Sequence, residues 1–221
     1  WVEPNCELLR FGMPRTDVLL RDKDNRSLKE RVRNALGIDN DSYFVLYAPT
    51  FRTGESVDSY LSDFTQVQEV MANKHGKTTI AVRLHPNLRE SNSAINWVHK
   101  SRLIDASSYA DVYELVIAAD CLITDYSSLA YDFALISKPV FLYVSDIERY
   151  ISERGVYDII YEQPFRLNRD INMLMEDISQ TTAEEYAARL ARFYDKYPTY
   201  NDGNASARSV DWLESRGLRP R

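Results

Sequence analysis

The apolar residues of this chain fall alternately into short continuous runs and into stripes of helical spacing. Tyr43–Ala48, Thr78–Leu84, Cys121–Thr124 and Val140–Val144 are compact runs rich in β-branched and aromatic residues, which predicts buried strands. Between them, Arg26–Leu36 carries Leu28, Val32 and Leu36 on one face and stops at Gly37, a helix with a glycine end. A second helix is expected from about Ser59 to Lys74, with Leu61, Phe64, Val67 and Met71 aligned. A weaker helix at Ala94–Lys100 leads to a short strand at Arg102–Ile104. Ser108 then reads as the cap of a helix with Asp111 set for a capping box and Val112, Leu115, Val116 and Ala119 as its stripe. Tyr157–Tyr161 reads as a last strand, and three helices finish the chain. The clearest of them, Ala183–Lys196, lines up Tyr186, Leu190, Phe193 and Tyr197, most simply for core packing. Strands alternating with helices predict an α/β fold with a Rossmann-like, doubly wound parallel sheet. Residues 1–24 lack a long periodic run and read as a linker, with the domain spanning 25–221.

In such a sheet, ligands sit beyond the carboxyl ends of the strands. Four loops converge there: Thr50–Thr53, His85–Asn87, Asp105–Tyr109 and Asp125–Ser128. The last opens the helix Leu129–Ile136, whose free N–H groups suit a phosphate, and Ser127 and Ser128 add two hydroxyls. The plainer alternative is that the serines only cap that helix. Asp125 at the turn is expected to bond backbone N–H groups rather than touch an anion. Asp132 lies about one turn further along. Arg83 and His85 are two apart on a strand and so share a face. His85, in the loop, suits a phosphate oxygen or a leaving group. Arg83 suits either an anionic ligand or a structural salt bridge, and Arg52 either a phosphate or solvent. His75 and His99 read as exposed.

Composition narrows the classes. A hydrophobic share of 44% with 27% charged residues is that of a globular domain, and 15 Tyr suggest packed surfaces with polar tips. A net charge of −6 argues against a nucleic-acid partner. With 7 Gly there is neither a Walker loop nor Gly-x-Gly-x-x-Gly, and Ser127 lacks the glycines of a nucleophile elbow. Asp22/Asp24 and Asp39/Asp41 have the spacing of some metal pairs but read better as polar turns. Cys6 and Cys121 give no disulfide framework, which favours a reducing compartment. No run approaches the roughly 20 apolar residues of a membrane span. A first residue of Trp suggests a piece whose N-terminal part is absent.

Ile123–Phe133 followed by Lys138-Pro139 resembles the signature of the CDP-glycerol glycerophosphotransferase family, polymerases of teichoic acids and related capsules. Gly12–Asp17, Tyr47–Arg52, Arg83–His85, Ser108–Leu115, Ile147–Tyr150 and Asp202–Arg208 match it in the same order. Thr16, where the family often has Asn, and the Pro-Asn after His85 depart from the pattern and leave the polyol open. The resemblance implies the C-terminal, nucleotide-binding half of a glycosyltransferase-B fold. It implies a CDP-polyol donor, a polyol-phosphate polymer or lipid-linked acceptor, release of CMP, and no required metal or other cofactor. It implies that His85 contacts the donor diphosphate, that Thr124, Ser127 and Ser128 line the phosphate site, and that Asp132 meets the ribose. The acceptor-activating base is expected in the N-terminal half, so that this piece alone is inactive. The whole enzyme is expected in the cytoplasm at the inner face of the bacterial membrane, held there by that missing half. A nucleotide-sugar transferase or epimerase with another donor, and a non-catalytic nucleotide-binding module, are the competing readings.

Overall fold

The computed structural model describes residues 6–50, 64–85, 96–98, 100, 103–155 and 158–218. The strands are β1 (Tyr43–Ala48), β2 (Thr78–Val82), β3 (Ile104–Asp105), β4 (Cys121–Thr124), β5 (Val140–Tyr143) and β6 (Leu167–Asn168). Among the described residues they form one sheet in the order β3-β2-β1-β4-β5-β6, and every pairing is parallel. This is the doubly wound Rossmann order, with its reversal between β1 and β4. Register there pairs Ala48 with Thr124, so both strands end level at the crevice.

Strand alternation divides the core in two. Phe44, Leu46, Leu122 and Leu142 face one side, and Val45, Tyr47, Ile123 and Phe141 the other. The first side is covered by helices α1 (Asp17–Asp22), α2 (Arg26–Leu36), α4 (Val112–Ala118), α5 (Leu129–Ala134) and α8 (Ala183–Lys196). The second is covered by α3 (Thr65–His75) and α7 (Ile171–Gln180). Helix α6 (Ile147–Arg154) follows β5, and α9 (Ala205–Ser215) closes the chain. Phe44, Leu122 and Ile123 are wholly buried, and side chains of that size contribute roughly 1.5–3 kcal/mol each.

Several boundaries differ from the expected ones. Helix α4 is capped by Asp111, whose Oδ1 accepts from Tyr113 N at 2.8 Å, not by Ser108. Residues Asp158–Tyr161 form a 3-10 turn, not a strand; β6 comes later and pairs through only two residues. The segment expected as linker carries α1, and Asp17 there caps α9 through Ala205 N (3.0 Å) and Ser206 N (2.7 Å). Burial alone would raise the Asp17 pKa, but those N–H groups outweigh it and hold the carboxyl below its ordinary value. Gly12 makes the approach possible: its φ is +85°, and a Cβ there would lie 2.6 Å from the Tyr200 carbonyl oxygen.

Lysine side chains close helix ends on both faces. Lys138 Nζ donates to the carbonyls of Ala119 (2.5 Å), Ile117 (2.7 Å) and Val116 (3.3 Å) at the end of α4. Lys74 Nζ does the same for Ile178 and Thr181 at the end of α7, each at 2.5 Å. Both meet the unpaired carbonyls and negative dipole end of a helix.

Lys138→Met should therefore lower unfolding stability at pH 7 by about 1–3 kcal/mol, measured in urea. Burial draws the Lys138 pKa down to about 8 from 10.5. Between those values the unfolded chain binds the extra proton, so wild type should gain stability relative to Lys138→Met as pH rises from about 8 to about 10. Parallel stability curves for the two proteins over that window would contradict it.

Candidate functional site

The crevice lies where β1 and β4 end side by side and their connections run apart. Two side chains of the β4 turn lock it to the loop after β1. Thr124, wholly buried, donates its hydroxyl to the Ala48 carbonyl at 2.6 Å. Asp125, 5% exposed, accepts from Thr50 N at 2.9 Å, from the Thr50 hydroxyl at 3.1 Å and from Tyr126 N at 2.8 Å. The expected role of Asp125 in bonding backbone N–H groups is thus visible in the geometry. Thr124 supports the turn from below, with its hydroxyl committed to the neighbouring strand.

The loops after β2 and β3 are joined in the same way. Leu84 N donates to Ser107 Oγ at 3.0 Å, and Arg83 Nη1 donates to the Tyr109 carbonyl at 2.5 Å. Arg83 therefore braces the β3 loop. His85 is exposed beyond the end of β2. Two strand steps separate β2 from β4, roughly 10 Å at ordinary strand spacing. Arg52 lies outside the described residues, as does His99; His75 is exposed and stacks on Tyr43 with ring centroids 3.9 Å apart.

The two serines differ. Ser127 Oγ accepts from Leu129 N at 3.2 Å, a local cap, while Ser128 is exposed and makes no side-chain cap bond. Helix α5 behind them is six residues long, and the free N–H groups expected at its start are already taken: Leu129 N by Ser127 Oγ, Ala130 N by the Ser127 carbonyl at 3.2 Å and Tyr131 N by the Ser128 carbonyl at 3.1 Å. Ser128 stands on a ridge between two hollows. With Asp125 and Ser127 it lines a cavity of about 330 Å³ that reaches α6 and Gln163. With Asp132 and Arg15 it lines a groove of about 860 Å³ that runs to the end of α8.

Asp132 is buried, with Arg15 Nη2 3.2 Å from Oδ1 and the Tyr113 hydroxyl donating to Oδ2 at 3.1 Å. The bond to Asp132 raises the Arg15 pKa; burial first, then Asp132, raises that of Tyr113. Neither partner was singled out from the sequence. Arg15 belongs to the Gly12–Asp17 motif, and a carboxylate on the inner face of a short helix calls for a cation; 117 residues separate the pair. The arrangement brings the hydroxyls of the turn, a buried carboxylate and a guanidinium into one stretch of crevice. Such a set suits a phosphorylated ligand that also carries hydroxyls.

The sequence profile of the CDP-Glycerol:Poly(glycerophosphate) glycerophosphotransferase family matches residues 4–215. The teichoic acid glycerol-phosphate primase of Bacillus subtilis (strain 168) is 32% identical over 95% of this chain and 51% of its own length. The teichoic acid ribitol-phosphate polymerase TarK of Staphylococcus aureus (strain NCTC 8325 / PS 47) is 30% identical over 93% of this chain and 40% of its own. Among solved structures, the wall teichoic acid polymerase TagF superposes with a TM-score of 0.73 at 27% identity, covering 93% of this chain and 50% of that one. The chain thus spans about half or less of the length of these relatives. The superposition fits the Rossmann-like half of a glycosyltransferase-B fold.

Asp125→Ala should free the loop after β1. Losing hydrogen bonds to a charged group costs roughly 1.5–3 kcal/mol, and hydrogen exchange at the Thr50 and Tyr126 amides should speed up at least tenfold. Unchanged exchange at Thr50 would show that another contact holds the loop.

Proposed function

The chain belongs to the CDP-glycerol:poly(glycerophosphate) glycerophosphotransferase family, and from that premise we propose that it is the donor-binding half of a polyol-phosphate transferase. Its donor is a CDP-polyol and its acceptor the hydroxyl end of a teichoic-acid-like polymer or a lipid-linked primer. The observation that carries this reading is the exposed Ser128 beside a turn fixed at the sheet's reversal point. There the diphosphate meets the hydroxyls of Ser127 and Ser128, while Asp132 and Arg15 stand ready for the ribose.

In the reaction, the acceptor oxygen attacks the phosphorus that bears the polyol. The phosphorus–oxygen bond to CMP breaks, and CMP leaves with the electron pair. His85 donates a hydrogen bond to a diphosphate oxygen and so stabilises the charge that gathers on the departing CMP. The proton of the acceptor hydroxyl goes to a base outside this chain. Negative charge on the donor is met by protein donors and guanidinium groups, with no metal required. Arg83 acts by holding the β3 loop, and Arg52, in the loop after β1, supplies a further cation. The whole enzyme works in the cytoplasm at the inner face of the membrane, where a lipid-linked acceptor is presented; among the described residues no helix is long and apolar enough to cross a bilayer.

The double variant Ser127→Ala/Ser128→Ala separates a phosphate site from a simple cap. A phosphate site loses at least tenfold in CDP-glycerol affinity by calorimetric titration, roughly 1.4 kcal/mol, on top of the stability lost with the Ser127 cap. A cap alone loses about 0.5–2 kcal/mol of stability and keeps its affinity, which would refute the reading. His85→Ala in the whole enzyme should abolish transfer while the melting temperature is kept; wild-type turnover would make His85 structural.

A further inference from the structure

The two flanks of the Ser127–Ser128 turn differ in chemistry. On one, the groove beside Ser128 offers the Asp132 carboxylate and the Arg15 guanidinium. On the other, the cavity of about 330 Å³ has walls of Tyr126, Tyr150, Ile159 and Ile160 and carries the Gln163 amide, while the Asp125 carboxylate at its edge is committed to Thr50 and Tyr126. Tyr126 stacks on Tyr150 there, with centroids 3.7 Å apart and planes inclined by 16°. The Tyr126 hydroxyl is fixed by Asp146 at 2.9 Å, so the rings form a set wall. Opposite, Gln163 Oε1 accepts from the Tyr131 hydroxyl at 2.9 Å, and its Nε2 is buried with no hydrogen-bond partner. Turning the amide over would leave its carbonyl oxygen unpartnered instead, because Tyr131 can satisfy only the one end. A buried amide with one idle end is unfavourable unless something else meets it.

We infer that this cavity receives the polyol end of the donor and that Gln163 pairs with one of its hydroxyls, making Gln163 a residue that sets polyol preference. The inference rests on the CDP-polyol reading above. With the ribose on the Asp132 flank, the far end of a diphosphate held at Ser127 and Ser128 points into the opposite hollow, which those serines also line. The cavity's size is at the lower end of small-molecule sites, about 300–1,000 Å³. Its chemistry suits a short polyol: carbon-bound hydrogens pack on the tyrosine faces, and a hydroxyl oxygen accepts from the amide. A local determinant is also needed, because a glycerol-phosphate primase and a ribitol-phosphate polymerase resemble this chain almost equally, at 32% and 30% identity.

The test is calorimetric titration of CMP, CDP, CDP-glycerol and CDP-ribitol into the 221-residue chain and into Gln163→Leu and Gln163→Met. Two apolar replacements of different shape guard against one that packs badly, and thermal melts report folding. The expected result is a fall of about three- to tenfold in affinity for the preferred CDP-polyol, the range of one neutral hydrogen bond, with CDP affinity unchanged within about twofold. If the ratio of CDP-polyol to CDP affinity is the same in wild type and both variants, the cavity does not read the polyol. If CMP and CDP weaken as much as the CDP-polyols, the cavity holds the nucleoside, and the inference is overturned while the donor reading stands. If wild type binds none of the four, the donor reading fails and the inference with it.

Discussion

Everything at the crevice depends on how two parallel strands are held at the point where their connections part. Between β1 and β4 the sheet ladder ends at Ala48 and Thr124, and beyond it no backbone pairing among the described residues joins the two loops. The Thr124 hydroxyl on the Ala48 carbonyl and the Asp125 carboxylate on Thr50 replace that pairing with side-chain bonds. A carboxylate is suited to the task because it accepts from several N–H groups at once, and such bonds are about twice as strong as neutral ones. Without that clasp the crevice would close or splay as the loops moved. With it, Ser128 is presented on a fixed turn, and a ligand need not order the turn itself.

The same principle recurs through the molecule: charged side chains bond backbone groups that have run out of partners. Arg33, 7% exposed, donates to the Ser42 carbonyl at 2.7 Å and pairs with Asp120 at 2.7 Å. Asp120 in turn accepts from Phe44 N at 2.8 Å, fixing the amino ends of β1 and β4 as Asp125 fixes their carboxyl ends. Lys138, Lys74 and Asp17 finish helix termini. The central pair of strands is therefore bolted at both ends, and the N-terminal segment is tied to the last helix. Rigidity at the crevice follows from these bonds together with two cores packed on opposite faces.

Much of this was legible in the residues. Tyr43–Ala48, Arg26–Leu36, Cys121–Thr124 and Ala183–Lys196 have the boundaries that their patterns predict, because each is a strong apolar run or stripe with a clear stop. The role of Asp125 was also readable, since an Asp at a turn bonds nearby backbone more readily than an anion. Other features were not. Asp158–Tyr161 is rich in β-branched residues yet forms a 3-10 turn, whereas β6 is two residues long and leaves no periodic trace. Ser108 and Asp111 are both good caps, and only the extended backbone of Asp111 decides between them. The Arg15–Asp132 pair joins residues 117 apart, and the idle end of Gln163 appears only once Tyr131 is seen to occupy the other. Long-range pairing of polar side chains has no signature in local spacing.

The central claim is that the donor's diphosphate docks on the β4 turn. Titration of the isotopically labelled chain with CDP, followed through backbone amide resonances, tests it most directly. The account predicts saturable shifts that are largest at Tyr126, Ser127, Ser128 and Leu129, with smaller ones at His85. Saturable shifts confined to the α3–α7 face, with those four amides unmoved, would contradict it.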